Sequence, residues 1–200
     1  MNVVERVAYR VFTLLGREIC RREYLNQEMG GVNERPIEYS FALQCLSYAS
    51  SAQTVLDVGS GQSPWPSLLR TCGYMVTAID EVESYWLNTT FFNRHFYVLK
   101  DDITKPKLSK TFDVITCIST LEHTPNHQDA IQGMFSLLRP GGFLILTFPY
   151  NEIRYVKNVY ELPDAGYGQN APYICQVYSR REVNRWLADN PAKILKQEYW

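Results

Sequence analysis

Thr54-Val55-Leu56-Asp57-Val58-Gly59-Ser60-Gly61 is a run in which an apolar strand meets a carboxylate and then a two-glycine turn. Val55, Leu56 and Val58 are what a strand buried on both faces requires, as happens when helices cover a parallel sheet. Gly59 and Gly61 have no Cβ, so the chain can turn tightly there and come close to a ligand. A helix is expected over residues 64–72, with proline tolerated in its first turn because the missing N–H has no helical partner there. Strand, glycine turn and helix together read as a nucleotide site in an α/β fold.

Charge narrows the ligand. A dinucleotide fingerprint reads G-x-G-x-x-G, but the sixth position from Gly59 is Pro64, so the glycine that permits close helix packing beside a pyrophosphate is absent. Asp57, at the mouth of the turn, repels phosphate and favours a ligand carrying positive charge. S-adenosylmethionine has an ammonium and a sulfonium and no phosphate.

Four later segments follow in the order such a fold needs. Residues 74–81, Tyr-Met-Val-Thr-Ala-Ile-Asp-Glu, read as a second buried strand ending at Asp80 and Glu81. Asp80 lies about twenty residues past the glycine turn, where a carboxylate can accept hydrogen bonds from ribose hydroxyls. A helix cap or a turn is the plainer role for it. Residues 97–103 contain the pair Asp101-Asp102, which by itself could be a solvated turn. Residues 112–125, Phe-Asp-Val-Ile-Thr-Cys-Ile-Ser-Thr-Leu-Glu-His-Thr-Pro, are a strand opened by Asp113 and followed by the loop Leu121-Glu122-His123. Residues 137–149 give a helix end, a Pro-Gly-Gly turn and a buried fifth strand.

With the first strand, these segments resemble the class I S-adenosylmethionine-dependent methyltransferases over roughly residues 36–200, especially the small-molecule branch that includes the ubiquinone-biosynthesis methyltransferases. The resemblance implies a Rossmann-like doubly wound α/β sheet, mostly parallel, with helices on both faces. It implies S-adenosyl-L-methionine as cofactor, held by Asp57, Gly59, Ser60 and Gly61 and by Asp80 and Glu81. Asp102 would then lie at the adenine amino group and Ile103 against the adenine face. Cys117, Ile118 and Ser119 would line the methionine half, largely through backbone atoms, with His123 near the methyl donor. Two departures stand out. Ser63 occupies the place where the family often has a third glycine, and the chain stops before the seventh, antiparallel strand that members normally add. Residues 193–200 are expected as the sixth strand, and residues 179–189 as the helix before it, with Ser179 and Glu182 forming a capping box.

At 200 residues and 46% hydrophobic, the chain is long enough for one well-cored domain. A net charge of −1 provides no field to hold a long nucleic acid, so a small-molecule acceptor is the expected partner. The five cysteines include no C-x-x-C pair, and His95, His123 and His127 lack ligand spacing, so no metal is expected. The cysteine pattern fits reduced thiols in the cytoplasm.

No run approaches a membrane span, and residues 1–23 lack a signal-peptide core. Val4, Val7, Val11, Leu14, Leu15 and Ile19 recur at helical spacing opposite an arginine-rich face. Residues 1–35 therefore read as an amphipathic helix and linker ahead of a domain over residues 36–200. The helix could pack on the domain, cap its cleft or join a second copy as a homodimer. Its arginines also leave peripheral contact with an anionic membrane open, tempered by Glu5, Glu18 and Glu23. Arg35 could pair with the methionine carboxylate or simply make a surface salt bridge.

Residues 150–178 supply six tyrosines among prolines and glycines, and long loops at the carboxyl ends of parallel strands are usually functional. They are expected to form the acceptor pocket or its lid, with Tyr150, Tyr155 and Tyr160 touching substrate, unless they only pack onto the sheet. Methyl transfer from a sulfonium is an in-line displacement in which positioning supplies most of the rate. For a hydroxyl acceptor His123 is the candidate base and Glu122 the second, although either could instead hydrogen-bond the loop. Rival readings are a noncatalytic scaffold that keeps the fold and an NAD-dependent oxidoreductase.

Overall fold

A computed structural model of the protein describes residues 2–26, 33–81, 93, 95–166, 168–171 and 173–200. The chain divides into two units, Met1–Glu34 and Arg35–Trp200. The first is built on helix α1 (Val3–Leu25), which opens with a reciprocal cap: Asn2 Oδ1 accepts from the Glu5 amide and Glu5 Oε2 from the Asn2 amide, each at 2.8 Å. Glu18 pairs with Arg21 and Arg22 one turn on, so part of the arginine charge is satisfied within the helix. Among the described residues no helix is long and apolar enough to cross a membrane. Arg35, assigned to the linker by its sequence, already belongs to the next helix.

The second unit contains five parallel strands in the order β3-β2-β1-β4-β5: β1 (Thr54–Val58), β2 (Met75–Asp80), β3 (Val98–Lys100), β4 (Phe112–Ile118) and β5 (Leu138–Thr147). Helices α2 (Arg35–Leu46) and α3 (Trp65–Thr71) cover one face, and α4 (His127–Leu137) and α5 (Arg180–Asp189) the other. Strand alternation sorts the residues. Val55, Val114 and Ile118 pack with Phe41, Trp65 and Leu69, whereas Leu56, Val58, Ile115 and Cys117 pack with Ile131, Met134 and Trp186. Burial on both faces is what makes these strands continuous apolar runs. Strand order reverses between β1 and β4, and a crevice opens beyond their carboxyl ends at such a switch point.

Several expectations are corrected by packing. Helix α2 ends at Leu46, and the chain tightens into a 3-10 turn over Ser47–Ala49. The fifth strand is not fully buried, because it is the edge of the sheet and only Ile145 and Thr147 are buried along it. Residues 193–200 do not form a sixth strand: they make no backbone ladder among the described residues and are held by side chains instead. Lys196 Nζ donates to Gln44 Oε1 at 2.5 Å, and Trp200 lies 5.8 Å from the Phe41 ring. These anchors hold the segment against α2 instead of along an edge of the sheet. The expected capping box at Ser179 and Glu182 is present and starts α5. A second, two-stranded parallel sheet joins β6 (Tyr150–Asn151) to β7 (Tyr178–Ser179), so both ends of the tyrosine-rich segment are tied together.

One glycine is demanded by packing. A Cβ on Gly133 of α4 would stand 1.8 Å from the Ile103 carbonyl oxygen, so α4 can lie this close to the loop after β3 only without a side chain there. Gly133→Ala is expected to destabilise the protein by about 1–3 kcal/mol, the usual cost of overpacking. Urea unfolding checks this; an unchanged midpoint would show that the loop can yield.

Candidate functional site

The crevice is a cavity of about 950 Å³ beyond the carboxyl ends of β1 to β4. At its floor, Asp57 is 3% exposed; its Oδ1 accepts from Thr116 Oγ1 at 2.7 Å and its Oδ2 from Ser60 Oγ at 2.6 Å. Thr116 in turn accepts from the Trp65 indole N–H at 3.2 Å. Burial pushes the Asp57 carboxyl up to about 7 against the pull of these two hydroxyls. A buried carboxylate held this way favours a cation beside it.

The turn after β1 is shaped by hydrogen bonds to β2. The amides of Gly59 and Ser60 donate to the Ile79 carbonyl at 2.9 and 3.3 Å, and the Gly61 amide donates to Asp80 Oδ2 at 2.7 Å. Gly59 has φ +73°, and a Cβ on it would meet the Thr120 side chain at 1.9 Å, so the turn and the loop after β4 interlock only through glycine. Ser63 stands in place of the third glycine: its Oγ accepts from the Trp65 amide at 3.0 Å and shares a 2.7 Å bond with the Tyr39 hydroxyl. Asn93 fastens the same turn, its Nδ2 donating to the carbonyls of Gly61 and Ser63, both at 2.9 Å.

Asp80 and Glu81 line the cavity after β2; burial raises the Asp80 carboxyl, while amide bonds from Gly61 and Glu81 hold it down. After β3 the two adjacent aspartates divide their tasks. Asp101 takes the amides of Asp102, Lys107 and Leu108 and so shapes the loop. Asp102 Oδ1 accepts from the Thr104 amide and hydroxyl at 2.8 and 2.7 Å, while Asp102 and Ile103 both face the cavity.

After β4, Ile118 and Ser119 line the cavity, and Ser119 has φ +44°. That left-handed conformation is pinned by the amide, which donates to Thr147 Oγ1 at 2.9 Å, and by the hydroxyl, which donates to Glu38. Glu38, 2% exposed, also accepts from Thr147 Oγ1 at 2.7 Å and from Arg35 at 3.1 Å, which sets the Arg35 guanidinium on the cavity wall. Cys117 is different: it is buried in the core beneath α4 and is not among the lining residues, because neighbouring strand positions face opposite sides.

His123 lines the cavity and Glu122 does not; Glu122 is buried, with Oε1 3.9 Å from His123 Nε2. His123 Nδ1 lies 2.7 Å from the Ile174 carbonyl, which can only accept, so Nδ1 carries the proton and Nε2 the lone pair. Burial holds the His123 imidazole below its ordinary pKa, opposed by the Ile174 carbonyl and helped by the Arg35 charge.

The three tyrosines expected at the acceptor do not line the cavity. Tyr150 bonds Glu152 at 2.5 Å under the Arg180 guanidinium; Tyr155 bonds Gln176 at 2.5 Å; Tyr160 packs on Tyr173, ring centroids 5.8 Å apart. Among the described residues of that segment, Tyr173 lines it, edge-on to His123 at 5.1 Å. Glu38, Tyr39, Asn93 and Tyr173 had no signal in local spacing. Tyr167 and Pro172 of this segment lie outside the described residues.

Comparison with known proteins shows the family and the fold. The profile of a family described as a methyltransferase domain matches residues 23–197. Ubiquinone biosynthesis O-methyltransferase of Rickettsia canadensis is 31% identical over 97 residues, covering 46% of this chain and 41% of that protein. The same enzyme of Rickettsia typhi is 29% identical over 121 residues, covering 58% and 49%. The chain thus spans less than half the length of these relatives. Among solved structures, Burkholderia thailandensis 1,6-didemethyltoxoflavin-N1-methyltransferase shares the fold with TM-score 0.54 and 18% identity, over 94% of this chain and 79% of that one. Magnesium protoporphyrin IX methyltransferase of Synechocystis PCC 6803 does so with TM-score 0.51 and 16% identity, over 92% and 88%.

Proposed function

This chain belongs to the methyltransferase-domain family, and we propose that it transfers a methyl group from S-adenosylmethionine to a hydroxyl of a small acceptor. The observation that carries the reading is the charge of the cavity. Asp57, Asp80, Glu81, Asp101 and Asp102 line it against the guanidinium of Arg35, which suits an ammonium and a sulfonium and repels a pyrophosphate. The relatives named above as O-methyltransferases support an oxygen acceptor.

The residues present fit the cofactor. Asp80 and Glu81 would take the ribose, Asp102 and Ile103 the adenine, and Arg35 the carboxylate of the methionine half, with Gly59 to Gly61 providing the close backbone approach. When bound, S-adenosylmethionine supplies a methyl carbon on positively charged sulfur, a leaving group already activated. The chain's own contribution is to orient the acceptor and to move its proton. With Nδ1 committed to Ile174, His123 Nε2 would take the proton of the acceptor hydroxyl as that oxygen is methylated. The Glu122 carboxylate near Nε2 steadies the imidazolium that results. We place the protein in the cytoplasm, a reading supported by five free cysteines.

Calorimetric titration tests the assignment. The protein is expected to bind S-adenosylhomocysteine and not NAD, and Asp80→Ala to weaken the former by about 10–100-fold, the worth of bonds to a charged group. Undiminished affinity in that variant would overturn the placement of the ribose, and tight NAD binding the reading itself.

A further inference from the structure

We propose that Gln176, with Tyr155 behind it, is a positioning residue that sets the His123 imidazole at the cavity wall; this rests on the methyltransferase reading and concerns how its base is held. Gln176 is wholly buried, where an amide is costly unless its groups are bonded. Its backbone amide donates to the Glu122 carbonyl at 2.9 Å, and its side-chain Nε2 donates to the Thr124 carbonyl at 2.7 Å and the Glu122 carbonyl at 3.3 Å. Its Oε1 accepts from the Tyr155 hydroxyl at 2.5 Å. One side chain therefore grips the backbone on both sides of His123.

The grip matters because the 3-10 turn Leu121–His123 is only three residues long and cannot hold an imidazole in place by its own bonds. The same returning segment completes the frame: the Ile174 carbonyl takes His123 Nδ1, Tyr173 meets the ring edge-on, and the Tyr178 hydroxyl donates to the Leu121 carbonyl at 2.7 Å. Among the described residues, the charged and titratable groups at the ring include the Glu122 carboxylate, the Arg35 guanidinium and the Tyr173 phenol. Residues 173–178 thus act as a fixed buttress for the base. Its depressed basicity and its single tautomer have one geometric cause.

NMR of the imidazole nitrogens and protons tests this without an acceptor. Spectra of wild type, Gln176→Leu and Tyr155→Phe are compared across pH, the His123 signal being identified by its loss in His123→Ala. Wild type is expected to show the Nδ1–H tautomer and a titration midpoint below the ordinary 6.5. In Gln176→Leu the tautomers should mix and the midpoint should move up toward 6.5, with a smaller shift of the same sign in Tyr155→Phe. Calorimetric affinity for S-adenosylhomocysteine should stay at the wild-type value in both. Unchanged tautomer and midpoint in both variants would overturn the proposal. Should Gln176→Leu not fold, Tyr155→Phe, which removes one hydroxyl, decides alone. Failure of wild type to bind S-adenosylhomocysteine refutes the methyltransferase reading instead, and leaves the imidazole comparison to judge the buttress.

Discussion

Replacing His123 with glutamine is expected to lower kcat by about 10²–10⁴-fold, the range that general-base catalysis supplies. Affinity for S-adenosylhomocysteine should change little, because the proposed role of the imidazole is toward the acceptor. Glutamine is chosen because its amide can still donate to the Ile174 carbonyl and keep the segment in place. The pH profile carries a second signature. Since burial depresses the His123 pKa, the base stays neutral below its ordinary pKa of 6.5, and the acidic limb of kcat should fall below that value and vanish in the variant. The linkage sign is definite: the unfolded chain protonates this imidazole more readily, so His123 makes the fold less stable as pH falls through 6.5. Steady-state kinetics across pH against an acceptor that wild type methylates decides the matter; unaltered turnover and profile would remove His123 from the chemistry.

Asp57→Asn should have the other large effect, and its sign reverses between stability and binding. The buried carboxyl titrates near 7 instead of 3.8, so between those values the folded protein holds a proton that the unfolded chain has released. Stability of the unliganded protein therefore falls as pH rises from 3.8 toward 7, and asparagine relieves this cost above 7. The variant's melting temperature at about pH 8 should exceed that of wild type, by about 2–4 °C for each kcal/mol recovered. Binding runs the opposite way. A cation in the cavity favours the carboxylate, so wild-type affinity for S-adenosylmethionine should rise with pH through about 7, and the variant should lose this dependence. At about pH 8 it should bind about 10–100-fold more weakly, with the two proteins converging at acidic pH. Calorimetry over that range measures both curves; equal affinities at pH 8 would show that the Asp57 charge does not reach the ligand.

Fold and site would then pull in opposite directions, the buried charge that burdens the empty protein being the one that would receive a cation. The substitution that stabilises the unliganded fold is the one that weakens binding, a trade common where a site stores an unfavourable group. Asp57 is held for this by hydroxyls alone, Ser60 three residues away and Thr116 on the neighbouring strand.

Local pattern made a large part of this legible. The apolar run into Asp57, the glycine turn, Asp80 at the end of the next strand and the capping box at Ser179 each depend on residues close in sequence, where strand burial, positive φ and helix caps leave short-range marks. The residues that escaped notice are those whose role is a long-range bond. Glu38 reaches Ser119 and Thr147, Asn93 reaches Gly61, and Gln176 reaches Glu122 and Thr124, with nothing beside any of them in the chain to announce it. The tyrosines of residues 150–178 show the same limit. Composition pointed to the segment as functional, but which ring lines the cavity depends on how the loop returns, and it is Tyr173, while Tyr155 became a support for Gln176.

The sequence by itself determined a parallel α/β sheet with an acidic nucleotide-type crevice at the carboxyl ends of its strands, because hydrophobic period, glycine freedom and charge are properties of neighbouring residues. Only the tertiary structure decided which groups meet inside that crevice: Cys117 turned into the core, residues 193–200 left without a strand partner, and the His123 tautomer chosen by the Ile174 carbonyl. Those outcomes depend on contacts between segments tens of residues apart, and a contact of that kind exists only once the chain has closed on itself.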